Sequence, residues 1–448
     1  MTAYAAKTAR LLEDIASARP SGGLAAGLAK PTSNLFRNRT RRARPRVDLG
    51  HFNEVVNVDA QASLVEAEGM TTFVDLADAT LASGVMPCVV PQLKSITLGG
   101  AVAGVGIEAT SFRHGLVHDT IVAMDILTGD GRIVVCTADN EHRDLFRGFP
   151  NSYGTLGYAL KVTARTIPVK REVVVEHARY RDADRFFADL RARCADARIH
   201  FVDGVAFRRG DLVLSCARFV DDAPHVSDYT YDRIYYRSLR EKPVDYLTTR
   251  DYLWRWDTDW FWCSKNIGAQ HPLVRRLLGR RRLNSMTYQK IMRWNARWRV
   301  THALNRLRGV HSESVIQDVD IPIARASEFL DFLHGEIGIL PIWICPIAAP
   351  VPDVAATLYP LPRNTLSINF GFWDTVRSRE PRPAGFVNRR IEHKAGELGG
   401  IKSLYSESYF TEDEFWTIYN RPAYRALKAR YDPGGALGDL YAKCVLRQ

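Results

Sequence analysis

Four side chains able to move a proton crowd one short stretch, Gly399–Thr411, which reads GGIKSLYSESYFT: Lys402, Tyr405, Glu407 and Tyr409. Extended backbone sends alternate side chains to opposite faces. A strand here therefore puts Tyr405, Glu407 and Tyr409 on one face and Lys402 on the other. A carboxyl among aromatic rings loses hydration and its pKa rises, so Glu407 is the first candidate for a proton donor. A sheet face with an ordinary solvated carboxylate has the same pattern. His114, His118 and His393 are further protonatable candidates. No HxH or HExxH accompanies them, and the seven cysteines are scattered without a CxxC pair. No metal site is expected, and the thiols read as reduced, as in a cytosolic protein.

The second chemistry is anion binding. Val90–Gly115, VPQLKSITLGGAVAGVGIEATSFRHG, contains Gly99, Gly100, Gly104, Gly106 and Gly115, interleaved with Thr97, Glu108, Thr110 and Ser111. A glycine-rich loop lets backbone approach a bulky ligand and turns N–H groups toward an anion such as a diphosphate. The spacing is neither GxGxxG nor GxxxxGK[ST], and a plain turn between two strands is the competing reading. His114 in this loop suits a hydrogen bond to ligand or backbone. A second glycine cluster, Gly154-Thr155-Leu156-Gly157, runs into an apolar segment.

These groups need elements to position them. Tyr4–Arg19 has the apolar spacing of an amphipathic helix, ended by Pro20-Ser21-Gly22-Gly23. Strands are expected over Glu54–Val58, Ser63–Glu66 and Met86–Pro91, with a helix capped at Gly69–Thr72 running to Leu81. Thr120–Leu127 and Arg132–Cys136 flank Asp130-Gly131, a hairpin signal, and Tyr158–Thr166 reads as a further strand.

At 448 residues, 46% of them hydrophobic, the chain has room for two domains with a substantial core. No apolar run of about 18 residues or more marks a membrane span, and no signal peptide is expected. The net charge of +11 asks for an anionic partner, with a merely solvated basic surface as the alternative. Asp251–Gly309 has the most unusual composition: Trp254, Trp256, Trp260, Phe261, Trp262, Trp294 and Trp298 among Arg255, Lys265, Arg275, Arg276, Arg280–Arg282, Lys290, Arg293, Arg297, Arg299, Arg306 and Arg308. Tryptophan prefers the lipid–water boundary and cations seek anionic headgroups, so the segment reads as lying on a membrane. Stacking on single-stranded nucleic acid and an ordinary core with a charged face are the alternatives.

The glycine-rich stretch, the hairpin and Gly154–Gly157 together resemble the flavin domain of the vanillyl-alcohol-oxidase superfamily (PCMH-type FAD-binding proteins). Within it the chain is similar to the Δ24-sterol reductase family. Val315-Ile316-Gln317-Asp318, Pro341-Ile342-Trp343-Ile344-Cys345-Pro346, Tyr405, Glu414-Phe415-Trp416 and Leu440-Tyr441-Ala442-Lys443-Cys444 extend that resemblance over most of the chain. It also looks like bacterial flavoproteins that reduce methylene-branched fatty acyl lipids.

The resemblance implies an α+β fold: a two-part FAD-binding domain with an α+β cap. The FAD domain would take residues 1–170, the cap 171–400, and 401–448 would return to the flavin site. FAD would contact Pro91, Thr97, Leu98, Gly99, Gly100, Ala101, Gly104, Gly106, Ile107, Glu108, Ser111, Gly115, Gly154, Thr155 and Gly157. The family's usual earlier glycine loop, often with a flavin-linking histidine, is replaced here by Lys30-Pro31-Thr32-Ser33-Asn34-Leu35-Phe36-Arg37, so the FAD is expected to be noncovalent. No second dinucleotide fingerprint appears, so NADPH or another donor reaches the same flavin. The implied activity is reduction of a lipid C=C bond, with Glu407, Tyr405, Lys402, Tyr409 and His393 as candidates for the catalytic groups. Sterol side-chain reduction, oxidation of a sugar or hydroxy acid, and a non-catalytic lipid-surface role are alternatives. The implied setting is the inner face of the cell membrane, with a lipid methyltransferase as a possible upstream partner and no nucleic acid.

Overall fold

The computed structural model describes residues 2–18, 27–29, 36–37, 46–298, 309–352 and 355–448. Two antiparallel sheets hold most of the strands. The first runs, in spatial order, Val55–Asp59, Leu64–Glu68, Tyr158–Pro168, Ile121–Leu127 and Ile133–Thr137, with Val85–Pro87 paired to the far end of Tyr158–Pro168. The second runs Val244–Thr248, Glu172–Tyr180, Asp211–Val220, Phe201–Arg208, Ile342–Ile347, Ser367–Ser378, His311–Pro322 and Ile401–Lys402. The strands from residue 55 to 168 lie in the first sheet and those from 172 to 402 in the second, while Gly27–Ala29 and Arg46–Asp48 form a separate parallel pair, in a fold of mixed α and β structure.

Local chemistry explains most boundaries. Thr72 accepts a hydrogen bond from the Asp75 amide and starts the helix Phe73–Leu81, whose buried Phe73, Leu76, Ala77 and Thr80 follow helical spacing. The hairpin forms where Asp130-Gly131 indicates, with Gly131 at φ 87°. The helix expected over Tyr4–Arg19 spans Ala3–Ala18.

Three expectations are corrected. Val90–Gly115 is not a single loop. Thr97 caps a helix, Leu98–Ala103, a second short helix covers Ser111–His114, and the lead-in strand is Val85–Pro87. Residues 403–410 are not a strand, because the chain turns at Leu404 and Tyr405 after the two-residue strand Ile401–Lys402. Finally, the tryptophans of the Trp/Arg-rich segment are mostly core. Trp254, Trp256, Trp260, Phe261 and Trp262 are buried, and Trp256, Phe261 and Trp262 pack ring against ring, with Trp256 and Phe261 stacked at 4.8 Å. Arg275 is buried in a bidentate pair with Asp259. The side chains of Arg293, Arg297 and Trp298, residues 299–308 and the Lys30–Leu35 stretch lie outside the described residues.

Arg255 joins the two halves of the molecule. Its guanidinium is fully buried and donates to Glu108 Oε1 at 2.7 Å and Asp203 Oδ2 at 2.8 Å. Glu108 belongs to the glycine-rich stretch and Asp203 to the second sheet. Backbone bonds from Val202 N to the Ala109 carbonyl (2.8 Å) and from Ala348 N to the Ser111 carbonyl (2.9 Å) close the same seam.

Replacing Arg255 with Met strands two buried carboxylates, at a cost of about 3–5 kcal/mol. Burial already pushes the Glu108 carboxyl up, and Arg255 opposes that rise. In the variant the pKa rises further, so the deficit is smallest in and below the ordinary Glu range and grows as pH rises above it. Denaturant midpoints of the two proteins, compared at acidic and neutral pH, check both the size and the direction.

Candidate functional site

A cavity of about 620 Å³ opens between the glycine-rich stretch and the inner face of the second sheet. One wall is glycine and small apolar residues; the other is Trp260, Phe261, Trp343, Trp373 and Tyr405.

Pro91, Thr97, Gly99, Gly100, Ala101, Gly104, Gly106, Ile107, Gly154 and Gly157 line the cavity. Leu98 faces the core, Glu108 is held by Arg255, and the Ser111 hydroxyl accepts from the Glu108 amide. Thr155 is buried with its hydroxyl on the Ser152 carbonyl, and Gly115 turns tightly against Asp119. Two neighbouring glycines do different work. A Cβ on Gly99 would meet the Gly69 carbonyl at 2.9 Å, so Gly99 lets two backbones touch. Gly100 is exposed on the cavity wall, where a side chain would occupy ligand space. The Leu98 and Gly99 amides already donate to the Thr71 and Gly69 carbonyls, and the Gly100 amide to Thr97 Oγ1. The first helical turn is thus tied into its own scaffold rather than open to an anion.

The expected proton-transfer group is mostly dispersed. Tyr405 lines the cavity. Glu407 does not; it accepts from the Tyr409 hydroxyl (2.7 Å) and from Arg447 (3.2 Å). Lys402 is buried against Glu392 (2.9 Å) and bonds the Glu407 carbonyl, and His393 is half exposed at 3.8 Å from Glu414. The turn at Leu404–Tyr405 is the reason, since it breaks the alternation that would align Tyr405 with Glu407. His114 is pushed down to about 4 by burial, and His118 is lowered by the same cause, so both are neutral at pH 7. Among the described residues no group of three or more His, Cys, Asp or Glu is placed to hold a metal ion.

Two carboxyls that the sequence reading passed over face the cavity instead. Asp318 and Asp320 sit on the strand His311–Pro322, opposite Gly371 and Asn369 respectively. In this strand Val315, Gln317, Val319 and Ile321 point into the core behind the sheet, and the residues between them point to the cavity side. Burial pushes Asp318 up to about 7 and Asp320 up to about 6. Tyr359 donates to Asp320 Oδ2 and Asn369 to its Oδ1, each at 2.7 Å. The alternation was visible in the Val315–Asp318 motif, but nothing local said which face was lined by the site.

The cavity backbone is strained. Val105, Tyr153, Trp260 and Phe261 line it with φ between 43° and 58°. That region costs a bulky or β-branched residue on the order of 1–3 kcal/mol.

The residues present fit FAD. The glycine wall leaves room for a flat ring system, the Asn369 Oδ1 on the wall is a buried acceptor without a hydrogen bond among the described residues, and Arg46 and Lys443 bring positive charge toward a diphosphate.

Comparison with known proteins agrees. Residues 32–137 match the FAD binding domain family. The chain is 25% identical over 412 residues to the Delta(24)-sterol reductase of Homo sapiens, covering 87% of this chain and 76% of that protein. It is 25% identical over 439 residues to the Delta(24)-sterol reductase of Pisum sativum, covering 89% and 76%. Cytokinin dehydrogenase 7 of Oryza sativa subsp. japonica is 30% identical over 154 residues, covering 33% of this chain and 29% of that protein. The chain is an FAD-dependent oxidoreductase.

Gly100→Leu should give a folded but colourless protein, whereas Gly99→Leu should lower the unfolding temperature as well. Flavin absorbance together with thermal unfolding separates the two effects. Full flavin occupancy in a folded Gly100→Leu protein would move FAD off this wall.

Proposed function

We propose that this oxidoreductase reduces an isolated C=C bond in a lipid, with a methylene-branched fatty acyl chain as the substrate class and NADPH as the electron donor. The observation that carries this reading is the cavity's second wall. Four aromatic residues, Trp260, Phe261, Trp343 and Trp373, stand beside two carboxyls, Asp320 buried and Asp318 partly so. An unactivated alkene has no carbonyl to polarise, so its reduction develops positive charge on carbon as a proton arrives. Aromatic faces stabilise such charge, most strongly where water is excluded.

Bound FAD would supply hydride chemistry at this wall. The chain's own part is to hold the lipid's apolar segment against the rings, keep water out and provide the proton. With a terminal CH2 branch, protonation at that carbon leaves charge on the more substituted one. The relatives named for sterol reduction favour a second reading, a sterol side chain in the same cavity.

A basic, apolar surface supports a lipid substrate. Leu273 and Leu277 are exposed (63% and 81%) on the helix Pro272–Leu278. Met286, Lys290 and Trp294 form a stripe along Ser285–Trp298, with Trp294 57% exposed. Arg276 on the first of these helices and Arg281 and Arg282 between the two are exposed. This narrower patch, rather than the whole Trp/Arg-rich segment, is the proposed contact with an anionic bilayer. Among the described residues no helix is long and apolar enough to cross a membrane. The proposed location is the inner face of the cell membrane, where a lipid methyltransferase would supply the methylene branch.

The decisive experiment supplies NADPH and a panel of methylene-branched, straight-chain unsaturated and sterol lipids to the holoprotein. Mass spectrometry should show a gain of two hydrogens in the methylene-branched lipid. Gain in the sterol alone would select the second reading, and gain in none would remove lipid reduction. Separately, the protein should bind anionic vesicles in preference to neutral ones, less so in high salt, and Leu277→Glu with Trp294→Glu should abolish that binding without loss of flavin.

A further inference from the structure

We infer that Asp318, oriented by Tyr405 and Trp373, is the group that protonates the alkene, an assignment that rests on the proposed reduction. The Trp373 indole N–H donates to the Tyr405 hydroxyl at 2.9 Å. That hydroxyl has one proton of its own, and it sits by the Asp318 carboxyl, whose ionised form it favours. The relay therefore runs one way, indole to phenol to carboxyl, and fixes where the carboxyl points. The other oxygen, Oδ1, is sealed from water and has no hydrogen-bond partner among the described residues. It belongs to a residue on the cavity wall.

Packing holds the carboxyl there. Asp318 pairs across the sheet with Gly371, and a Cβ at that position would come within 2.6 Å of Oδ1 and 2.7 Å of the Trp373 ring. The bare strand makes room for carboxyl and indole together. The titratable groups facing Asp318 are Asp320 on its own strand, Tyr405 from the turn after Lys402, and Tyr153 from the FAD side, with Arg37 lying 4.9 Å above the Tyr153 ring. No cation is paired with Asp318 among the described residues. Burial and the neighbouring Asp320 push its carboxyl up to about 7, against the opposing effect of the Tyr405 hydroxyl. A carboxyl protonated near neutrality is what a proton donor at physiological pH needs.

The step balances. The alkene π pair forms a C–H bond with the Asp318 proton, leaving a carboxylate. The second carbon receives hydride, and with it two electrons, from the reduced cofactor. Asp318 then regains a proton from solvent when the product leaves.

The test is made on the holoprotein with a lipid found active in the panel above. Asp318→Asn should keep flavin binding and flavin reduction by NADPH, and slow flavin reoxidation by the alkene about 10²–10⁴-fold. Wild-type reoxidation should fall as pH rises through about 7. Tyr405→Phe removes a hydroxyl that favours the ionised carboxyl, so that fall should move to higher pH. Asp320→Asn should retain a pH-dependent alkene step. Independently of any lipid, infrared difference spectra between acidic and alkaline pH should show a protonated carboxyl that disappears in Asp318→Asn. An unchanged alkene step in folded Asp318→Asn protein overturns the assignment while leaving lipid reduction standing. Absence of that infrared band overturns it whatever the lipid.

Discussion

A single guanidinium decides how the two sheets meet. Arg255 is sealed from water, and its carboxylate partners come from different parts of the fold, Glu108 from the glycine-rich stretch and Asp203 from the second sheet. A buried cation is tolerated only when paired, so neither half can bury its carboxylate without the other. Around it the contacts are short-range and directional: Trp343 donates to Asp203 at 3.2 Å, and the Cys345 thiol to the Glu108 carbonyl at 3.3 Å. Such bonds fix relative position far more tightly than apolar packing does. The glycine wall is therefore held in register with the aromatic wall, and the space between them has a defined width.

That register explains how one sheet serves two purposes. Its outer face is an ordinary core, where Phe186, Phe329 and Ile391 from three helices cluster with Phe370 of the sheet. Its inner face is lined with groups that are costly to bury, two carboxyls and several indoles. The cost is met by partners on adjacent strands, as when Asn369 satisfies Asp320 across the ladder. The strand His311–Pro322 thus changes character at every residue, with its apolar side supporting the polar one.

The glycines, the capped helix at Thr72 and the hairpin at Asp130-Gly131 were legible in the sequence because each depends on backbone preferences within a few residues. The Trp/Arg-rich segment was not. Whether Arg255 lies on a surface or in a core depends on Glu108, 147 residues away, and composition holds no trace of that pairing. Tyr405 lines the cavity, but Glu407, expected beside it on an extended backbone, does not. One turn removed the companion. Asp318 stood in a motif already singled out, yet its burial comes from Gly371 and Trp373 on a strand some fifty residues later. In each case the missing information is a contact between distant segments, which no local pattern records.

The left-handed backbone at Val105, Tyr153, Trp260 and Phe261 sets a limit on how this protein can evolve greater robustness. Glycine would relax each of these positions and so firm up the folded state. It would also delete the very rings and the branched side chain that shape the cavity. Selection for heat tolerance and selection for turnover therefore pull in opposite directions at the same four residues. Any gain in durability has to come from elsewhere, from helix ends and surface loops, while the centre stays under tension.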